Sequence, residues 1–384
     1  MQLSERAKAY EFSGIRAVFE AAAKYENTIN FGIGEPGFRT GQNVLDKASW
    51  ALNNGYTKYV SNAGIMPLRE AIVKRSREVN GLDCDVSNVH VFTGATHALF
   101  MTMQCILNPG EDILIPCPYY PAYIGMAQMA QVNIVEVPVY EEDHFHVKAA
   151  NLEKCLTPNT KAVLINSPSN PLGSVTPPED LKEIAEFAIQ HDLWVISYEP
   201  YEALQYDGAV QMSIGSLPGM KDRTVTCNSC SKTYAMAGMR VGWCIGPADM
   251  CLQMTKIQSS VTSSVAGALQ MAALEALTGP QDYVQEMVRE YNVRRKLMVE
   301  GLNRIKGFSC LWPEGAFYTF PNIRGTGMDS TTLAFYILEK AKVVTVPGVS
   351  CGTYGEGYLR VSFCTETENI GEGLRRMEAL FGTK

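Results

Sequence analysis

Short apolar runs and segments of helical periodicity follow one another through the middle of this chain. Seven of the apolar runs have the length of buried strands, at residues 89–92, 112–116, 134–139, 161–166, 193–197, 224–227 and 241–245. Apolar runs that are separated by amphipathic helical segments are typical of a parallel sheet covered by helices. The pattern therefore predicts an α/β fold around a mostly parallel seven-stranded sheet.

Two helices are marked most clearly in this pattern. Apolar positions recur at helical spacing from residue 281 to about residue 305, which predicts one long helix. A second helix precedes the strand at 193–197, with Leu181 and Ile184 on its buried stripe. Thr176 is the predicted cap of this second helix, and Glu179 is its partner in a capping box.

The pattern changes after residue 308. Short strands are predicted at 317–320, 343–346 and 358–363, with helices around 330–341 and 367–381. This is the pattern of a smaller α+β domain, which we expect the N-terminal segment to complete. Because 384 residues exceed the usual size of one domain, we expect two domains. The large domain would span residues 46–285, and the small domain would combine residues 1–45 and 286–384.

Composition and charge narrow the classes of protein. Hydrophobic residues make up 46% of the chain and charged residues 19%, as in ordinary globular enzymes. The net charge is −7 and the basic residues form no large cluster, which argues against nucleic-acid binding. Charged residues interrupt the N-terminal segment, which argues against a secretion signal, and no apolar stretch is long enough to span a bilayer. The 11 cysteines lack paired spacing, as is usual for reduced thiols. We therefore expect a cytoplasmic protein without a nucleic-acid or membrane partner.

Lys232 is the most informative candidate for chemistry. It ends the string Ser-Cys-Ser-Lys, which begins at Ser229, and Arg240 follows shortly after it. A lysine amine attacks an aldehyde when its surroundings keep it partly unprotonated, and hydroxyls with an arginine nearby suit a phosphate. Taken alone, a Ser-Lys pair also fits an ordinary turn.

Two loops at the ends of predicted strands have a composition that suits a ligand. Gly94-Ala95-Thr96 lies between a strand and a helix, where backbone amides and a hydroxyl can bind phosphate. The segment of residues 166–173 follows a buried strand, and α/β proteins place ligands at the carboxyl ends of strands. Each segment alone is equally consistent with a plain turn.

Two other patterns are set aside. Residues 32–37 have the spacing G-x-G-x-x-G of a dinucleotide fingerprint, but Pro36 stands where the helix should begin. His144 and His146 make at most an incomplete zinc site. We expect neither a nicotinamide cofactor nor a metal ion.

Short motifs occur in one order along nearly the whole chain. They are Gly34-Glu-Pro, Tyr59 with Gly64 and Leu68-Arg69, Thr93-Gly-Ala-Thr, Pro118-Tyr-Tyr-Pro, Asn170-Pro-x-Gly, Tyr201, Ser-Lys232, Arg240, Pro313-Glu-Gly-Ala-Phe-Tyr and Tyr358-Leu-Arg360-Val-Ser. Together they resemble the class I/II aminotransferases, which are pyridoxal-5′-phosphate (PLP) enzymes of fold type I. The resemblance implies that the protein moves an amino group between an L-amino acid and a 2-oxo acid.

The resemblance also assigns roles at the cofactor. Lys232 would form a Schiff base with PLP and then carry the proton between substrate carbon and cofactor. The remaining cofactor contacts that it implies are Ala95, Thr96, Ser229 and Arg240 at the phosphate, Tyr120 stacked on the pyridine ring, and Asn170 and Tyr201 at the phenolic oxygen. Tyr59 would reach the phosphate from the other subunit of a homodimer.

At the substrate, the resemblance implies contacts from Gly34, Asn170 and Arg360. Arg360 would bind the α-carboxylate, a task that suits the planar guanidinium group. The expected partners of the protein are therefore amino acids, 2-oxo acids and a second copy of the chain. Arg16 stands where it can lie near the mouth of the site, and it fits a surface helix equally well.

One position departs from the family's pattern. The family usually has Asp three residues before the tyrosine that faces the cofactor, and this chain has Tyr198 there. A carboxylate at this place keeps the pyridine nitrogen protonated, whereas tyrosine offers a neutral hydroxyl.

Several explanations of Tyr198 stay open. Glu199 can take over the role, although strand alternation directs it to the opposite face. The chain can otherwise be a PLP lyase, which needs less electron withdrawal, or a homologue of reduced activity. A PLP-binding regulatory domain is a further alternative to an enzyme.

Overall fold

The computed structural model describes residues 2–8 and 14–384. Its strands are β1 (Ile29–Asn30), β2 (Val89–Phe92), β3 (Asp112–Cys117), β4 (Asn133–Pro138), β5 (Thr160–Asn166), β6 (Trp194–Tyr198), β7 (Thr224–Ser229), β8 (Gly242–Ile245), β9 (Tyr318–Thr319), β10 (Val343–Val344), β11 (Val346–Pro347) and β12 (Leu359–Ser362). Its helices are α1 (Glu5–Lys8), α2 (Gly14–Ala22), α3 (Gln42–Asn53), α4 (Met66–Asn80), α5 (Ala95–Ile106), α6 (Ala122–Ala130), α7 (Ala149–Cys155), α8 (Pro178–Gln190), α9 (Cys230–Thr233), α10 (Ala248–Val261), α11 (Gly267–Thr278), α12 (Asp282–Arg304), α13 (Ser330–Ala341) and α14 (Thr367–Phe381). Among the described residues, none of these helices is both long and apolar enough to cross a membrane.

A seven-stranded sheet with the order β2-β8-β7-β6-β5-β3-β4 forms the centre of the fold. Strands β3 to β7 pair in parallel with one another. Strand β8 is antiparallel to both of its neighbours, so β2 runs in the same direction as β7. The mostly parallel seven-stranded sheet is confirmed, and each strand overlaps its predicted range.

Helices cover both faces of this sheet. Leu164 of β5 packs in a cluster with residues of α5 and α6, whereas the adjacent Val163 packs in a cluster with residues of α8. A strand that is buried on both faces needs apolar side chains at successive positions. The strands therefore appear in the sequence as continuous apolar runs.

A second set of elements surrounds a different buried cluster. Strands β9, β11 and β12 form a small antiparallel sheet with the order β11-β12-β9. Strand β1 pairs in parallel with β10, with Ile29 opposite Val343. Phe31, Leu302 and Phe363 share one core, so the N-terminal strand packs with α12 and with the C-terminal strands. The mixture of strands and helices predicted after residue 308 is confirmed, and α12 is the predicted long helix.

The predicted start of α8 is wrong by a short distance. The helix begins at Pro178, Pro177 is its N-cap, and no side chain caps it. Thr176 instead belongs to the preceding loop, where its backbone amide donates a hydrogen bond to Ser167 Oγ at 3.0 Å. Proline suits the first turn of a helix because the amide that it lacks has no partner there.

Candidate active site

The carboxyl ends of five strands meet at one edge of the large sheet. Strands β2, β3, β5, β6 and β7 all end there because they run in one direction. The segments that follow them contain, in the same order, Ala95, Tyr120, Asn170, Tyr201 and Lys232. These residues border one cavity of about 860 Å³. Ligands of α/β proteins bind at the carboxyl ends of the strands, and the predicted residues lie at that edge of the sheet.

The cavity brings together almost all of the residues that the sequence nominates. Those that line it are Gly34, Ala95, Thr96, Tyr120, Asn170, Tyr198, Tyr201, Ser229, Lys232, Arg240 and Arg360. Tyr59 is the exception, because it is 91% exposed and does not line the cavity. Arg16 also lines it, and its guanidinium pairs with Glu20 at 2.8 Å.

Lys232 presents its amine to the cavity from the short helix α9, which follows directly on β7. The Nζ atom donates a hydrogen bond to the carbonyl oxygen of Gly34 at 2.5 Å. Burial is the main cause that lowers the pKa of this amine; Cys364 and Glu35 oppose the shift without reversing it, and the positive charges of Arg240 and Arg360 add to it. A larger share of the amine is therefore unprotonated at neutral pH than for an exposed lysine.

The N-terminus of α5 and Arg240 together suit a phosphate. Gly94 caps this helix with φ 89° and ψ 162°, a conformation that is essentially restricted to glycine. A Cβ atom at Gly94 would lie 2.4 Å from Nη2 of Arg240, so the turn leaves just enough room for the guanidinium. Arg240 is held in place because Nη1 donates to the carbonyl oxygen of Ala237 at 2.7 Å. The free amides at a helix start bind anions, and the arginine adds a full positive charge.

Arg360 enters the cavity from β12 and is 3% exposed. Its Nη2 donates to the carbonyl oxygen of Gly32 at 2.7 Å, and its Nη1 to Oδ1 of Asn170 at 3.3 Å. The Nε atom is buried and has no hydrogen-bond partner among the described residues. A guanidinium that is held at one end and has a free donor at its side suits a carboxylate ligand.

Tyr198 ends the central strand β6 and lines the cavity with 6% of its surface exposed. Its neighbours in register are Asn166 of β5 and Cys227 of β7, and its ring packs edge-on against Tyr123. Burial raises the pKa of the Tyr198 hydroxyl well above its usual value. The hydroxyl therefore stays neutral.

Glu199, the next residue, lies on the other side of the sheet. It is completely buried, and its Oε1 accepts hydrogen bonds from Ser197 Oγ at 2.6 Å and Ser213 Oγ at 2.7 Å. Burial raises the pKa of Glu199 to about 8. Because it does not line the cavity, the side chain is not in a position to take over the role of the usual aspartate.

Several lining residues were missed by the sequence analysis. They include Phe19, Gly32, Ile124, Gln128, Ser231, Tyr318, Thr331, Val349 and Ser350. Ser231 and Tyr318 stand inside quoted motifs, so the motifs carried a signal for them. Tyr318 orients its neighbours, since its hydroxyl lies 3.2 Å from that of Tyr201 and its ring lies under the Arg360 guanidinium. Gly32 stands in the G-x-G-x-x-G pattern that was set aside, and the others come from distant elements and have no distinctive pattern in the sequence.

The chain resembles known proteins over nearly its whole length. The family model described as aminotransferase class I and II matches residues 26–377. An aspartate aminotransferase of Pyrococcus horikoshii is 38% identical over 385 residues, covering 100% of this chain and 98% of that protein. Aromatic-amino-acid aminotransferase 2 of Thermococcus litoralis is 40% identical over 387 residues, covering 100% of this chain and 99% of that protein. The solved structure of Thermus thermophilus aspartate aminotransferase with maleate has a TM-score of 0.94 at 34% identity, covering 99% of this chain and 100% of that chain.

Proposed function

The chain belongs to the class I and II aminotransferases, and we propose that its cavity at the carboxyl edge of the large sheet is the active site. As a member of this family it is a PLP-dependent enzyme that transfers an amino group between an amino acid and a 2-oxo acid. No relative or solved structure described above favours a lyase. The observation that carries the assignment of the site is the buried Lys232 amine, which shares one cavity with Arg240 and Arg360.

The side chains of the cavity fit PLP in two respects. Lys232 offers an amine of lowered pKa to the aldehyde. The start of α5, Ser229 and Arg240 offer amides, a hydroxyl and a positive charge to the phosphate. When bound, the cofactor supplies an electron-accepting ring next to the substrate carbon.

Lys232 has two tasks in this proposal. Its Nζ would hold the cofactor covalently, and the same nitrogen would move a proton at the substrate carbon. Its lowered pKa serves both tasks, because only the unprotonated amine attacks an aldehyde or accepts a proton. The hydrogen bond to the Gly34 carbonyl keeps this amine at the cavity wall.

Arg360 orients the substrate. Its guanidinium lines the cavity, where a charge-assisted hydrogen bond to a carboxylate is strong. The contact of Nη1 with Asn170 and the contact of Nη2 with Gly32 fix the plane of the guanidinium. A carboxylate bound in that plane directs the α-carbon of the substrate towards Lys232.

Three further properties are part of the proposal. A homodimer in which Tyr59 completes the partner's site is supported by the 91% exposure of Tyr59. A division into residues 46–285 and residues 1–45 with 286–384 is supported by one buried cluster whose residues come mostly from the second set and another whose residues come entirely from the first. A cytoplasmic location is supported by cysteines that are all free thiols.

The assignment is tested by absorbance of the protein mixed with PLP. The unmodified protein should show the band of covalently held cofactor, and addition of single amino acids should convert this band to that of the amine form. Aspartate, glutamate, tyrosine and phenylalanine are the first amino acids to add. Lys232→Ala should abolish both the band and the conversion, whereas Lys182→Ala, on the exposed face of α8, should change neither. A Lys232→Ala variant that retains the band would contradict the proposal.

A further inference from the structure

The cavity has positive side chains and no carboxylate. Lys232, Arg240 and Arg360 line it, and none of its described lining residues is Asp or Glu. If the proposed function holds, the phosphate of the cofactor neutralises Arg240 and the substrate carboxylate neutralises Arg360. No protein anion then remains in the cavity to balance a further positive charge.

Tyr198 is the polar group at the end of the central strand. Its hydroxyl makes no hydrogen bond within the part of the chain that the structure describes, and it is not one of the hydroxyls that are closed off in the interior, because Tyr198 lines the cavity. The titratable side chains around it are Tyr120, Tyr123, Tyr201, Cys227 and Arg240, and no carboxylate is among them. A phenolic hydroxyl on the wall of a cavity is therefore available as a hydrogen-bond donor to a ligand.

The two acids that follow Tyr198 most closely in the sequence are bound elsewhere. Glu199 accepts hydrogen bonds from two serine hydroxyls on the opposite side of β6. Glu202 accepts hydrogen bonds from Arg75 Nη1 at 2.6 Å and from Asn228 Nδ2 at 2.7 Å. Moving either carboxylate into the cavity would break these contacts and leave the donors unpaired in a buried region.

The chemistry of PLP indicates which of its atoms meets Tyr198. The ring nitrogen is para to the carbon that carries the aldehyde, so a cofactor anchored by Lys232 directs this nitrogen away from that residue. Arg240 would take the phosphate side of the ring, and Asn170 would take the side of the phenolic oxygen. Tyr198 lines the same cavity and ends the strand between those that lead to Asn170 and to Lys232, so its hydroxyl would be the polar group available to the nitrogen.

We infer that Tyr198 donates a hydrogen bond to the ring nitrogen of the cofactor and leaves that nitrogen unprotonated. A protonated pyridine would be a buried cation without an anion, and burying an unpaired charge is costly. A neutral hydroxyl and a neutral nitrogen satisfy each other without that cost. An unprotonated ring withdraws electrons more weakly, so this chain should release the proton of the substrate carbon slowly.

The state of the nitrogen is measured directly by ¹⁵N NMR of the protein loaded with PLP that is ¹⁵N-labelled in the ring. The unmodified protein should give a resonance of the neutral pyridine type. Tyr198→Asp supplies an anion and should move the resonance towards the pyridinium type. It should also speed conversion of the cofactor by an amino acid about tenfold or more, since tenfold corresponds to about 1.4 kcal/mol.

Two conservative variants keep the test decisive where Tyr198→Asp fails to fold. Tyr198→Phe removes the hydroxyl alone, so its resonance should stay of the neutral type but shift, because the hydrogen bond is lost. Tyr123→Phe changes a buried tyrosine that packs against Tyr198 without lining the cavity. Its resonance should match that of the unmodified protein.

The outcomes separate this inference from the proposed function on which it rests. A pyridinium resonance in the unmodified, cofactor-loaded protein overturns the inference alone, as does an identical resonance in Tyr198→Phe. Absence of the covalent cofactor band, or its persistence in Lys232→Ala, overturns the proposed function and the inference with it.

Discussion

The contacts of Arg360 explain why arginine and not lysine suits this position. Two of its nitrogens are engaged with Gly32 and Asn170, and the third is buried without a partner among residues 2–8 and 14–384. A lysine has one nitrogen and cannot keep its orientation while it binds a ligand. The position therefore selects for the shape of the guanidinium group as well as for its charge.

Arg360→Lys should weaken substrate binding and leave the cofactor in place. We expect KM for the amino acid to rise roughly 10–100-fold, because a hydrogen bond to a charged group contributes about 1.5–3 kcal/mol. Steady-state kinetics measures the change, and the absorbance of the bound cofactor serves as an internal check. Arg324→Lys, in an arginine that stacks on Tyr358 outside the cavity, is the matched control. A KM within twofold of the unmodified enzyme would show that Arg360 does not bind the carboxylate.

Glu199 makes the stability of the protein depend on pH. Burial, followed by the charge of Glu202, raises its pKa from 4.5 to about 8. Between these two values the folded state binds more protons than the unfolded state, so stability decreases as pH rises. Glu199→Gln should flatten this decrease, as measured by the melting temperature across that pH range. Glu183→Gln, on the exposed surface of α8, should leave the decrease as steep as before.

The chemistry-bearing residues could be predicted because they stand in ordered motifs. Lys232, Arg240 and Arg360 were each found in this way and share one cavity. Phe19 and Thr331 were not found, since a helical Phe and a Thr at a helix start have no pattern that distinguishes a cavity wall from any other surface. Their place in the site depends on how α2 and α13 pack against each other and against β10 and β11, which is long-range information.

Helix α5 has an N-terminus that the structure leaves open for an anion. No side chain caps it, and Gly94 allows Arg240 to approach the first turn. In the sequence these features appear as Gly94-Ala95-Thr96 after an apolar run. An uncapped helix start beside a positive charge gains stability when a phosphate binds.

Gly94→Ala should therefore weaken cofactor binding. The new Cβ atom would lie 2.4 Å from Arg240 Nη2, and the backbone conformation at this position costs about 1–3 kcal/mol for other residues. We expect the dissociation constant for PLP to rise about tenfold or more. Titration of the apoprotein with PLP measures it. Gly110→Ala is the matched control, because Gly110 also has a positive φ of 86° but no atom within 4 Å of its Cβ position. An equal loss of PLP affinity in both variants would refute the role of Gly94.

Strands of the large sheet could be predicted better than the strands elsewhere. A strand that is buried on both faces is a continuous apolar run, which marks its limits in the sequence. Strand β1 has two residues and no such pattern, and it exists because Ile29 and Asn30 pair with β10 more than 300 residues later. The cap predicted at Thr176 was also wrong because of a contact that the local pattern does not show. In the folded loop the backbone amide of Thr176 donates a hydrogen bond to Ser167 Oγ.

Exposed apolar residues in and after α3 bear on the assembly of two chains. Tyr59 is 91% exposed, and Trp50 and Leu52 at the end of α3 are also largely exposed. Exposed apolar residues of this size often mark an interface. If Tyr59 of the partner subunit completes each site, then a single chain holds an incomplete site and the enzyme works as a pair.

Hybrid dimers can test this arrangement. Lys232→Ala and Tyr59→Ala subunits, each weak as a homodimer, would form a hybrid in which one site carries both changes and the other carries neither. The purified hybrid should therefore regain about half of the unmodified activity, because a two-fold dimer has two equivalent sites. Activity is measured at a PLP concentration that does not saturate the Tyr59→Ala homodimer. If the hybrid does not recover activity, Tyr59 lies in the site of its own subunit or outside both sites. Tyr140→Ala changes another exposed tyrosine and is the control, and its homodimer should remain fully active.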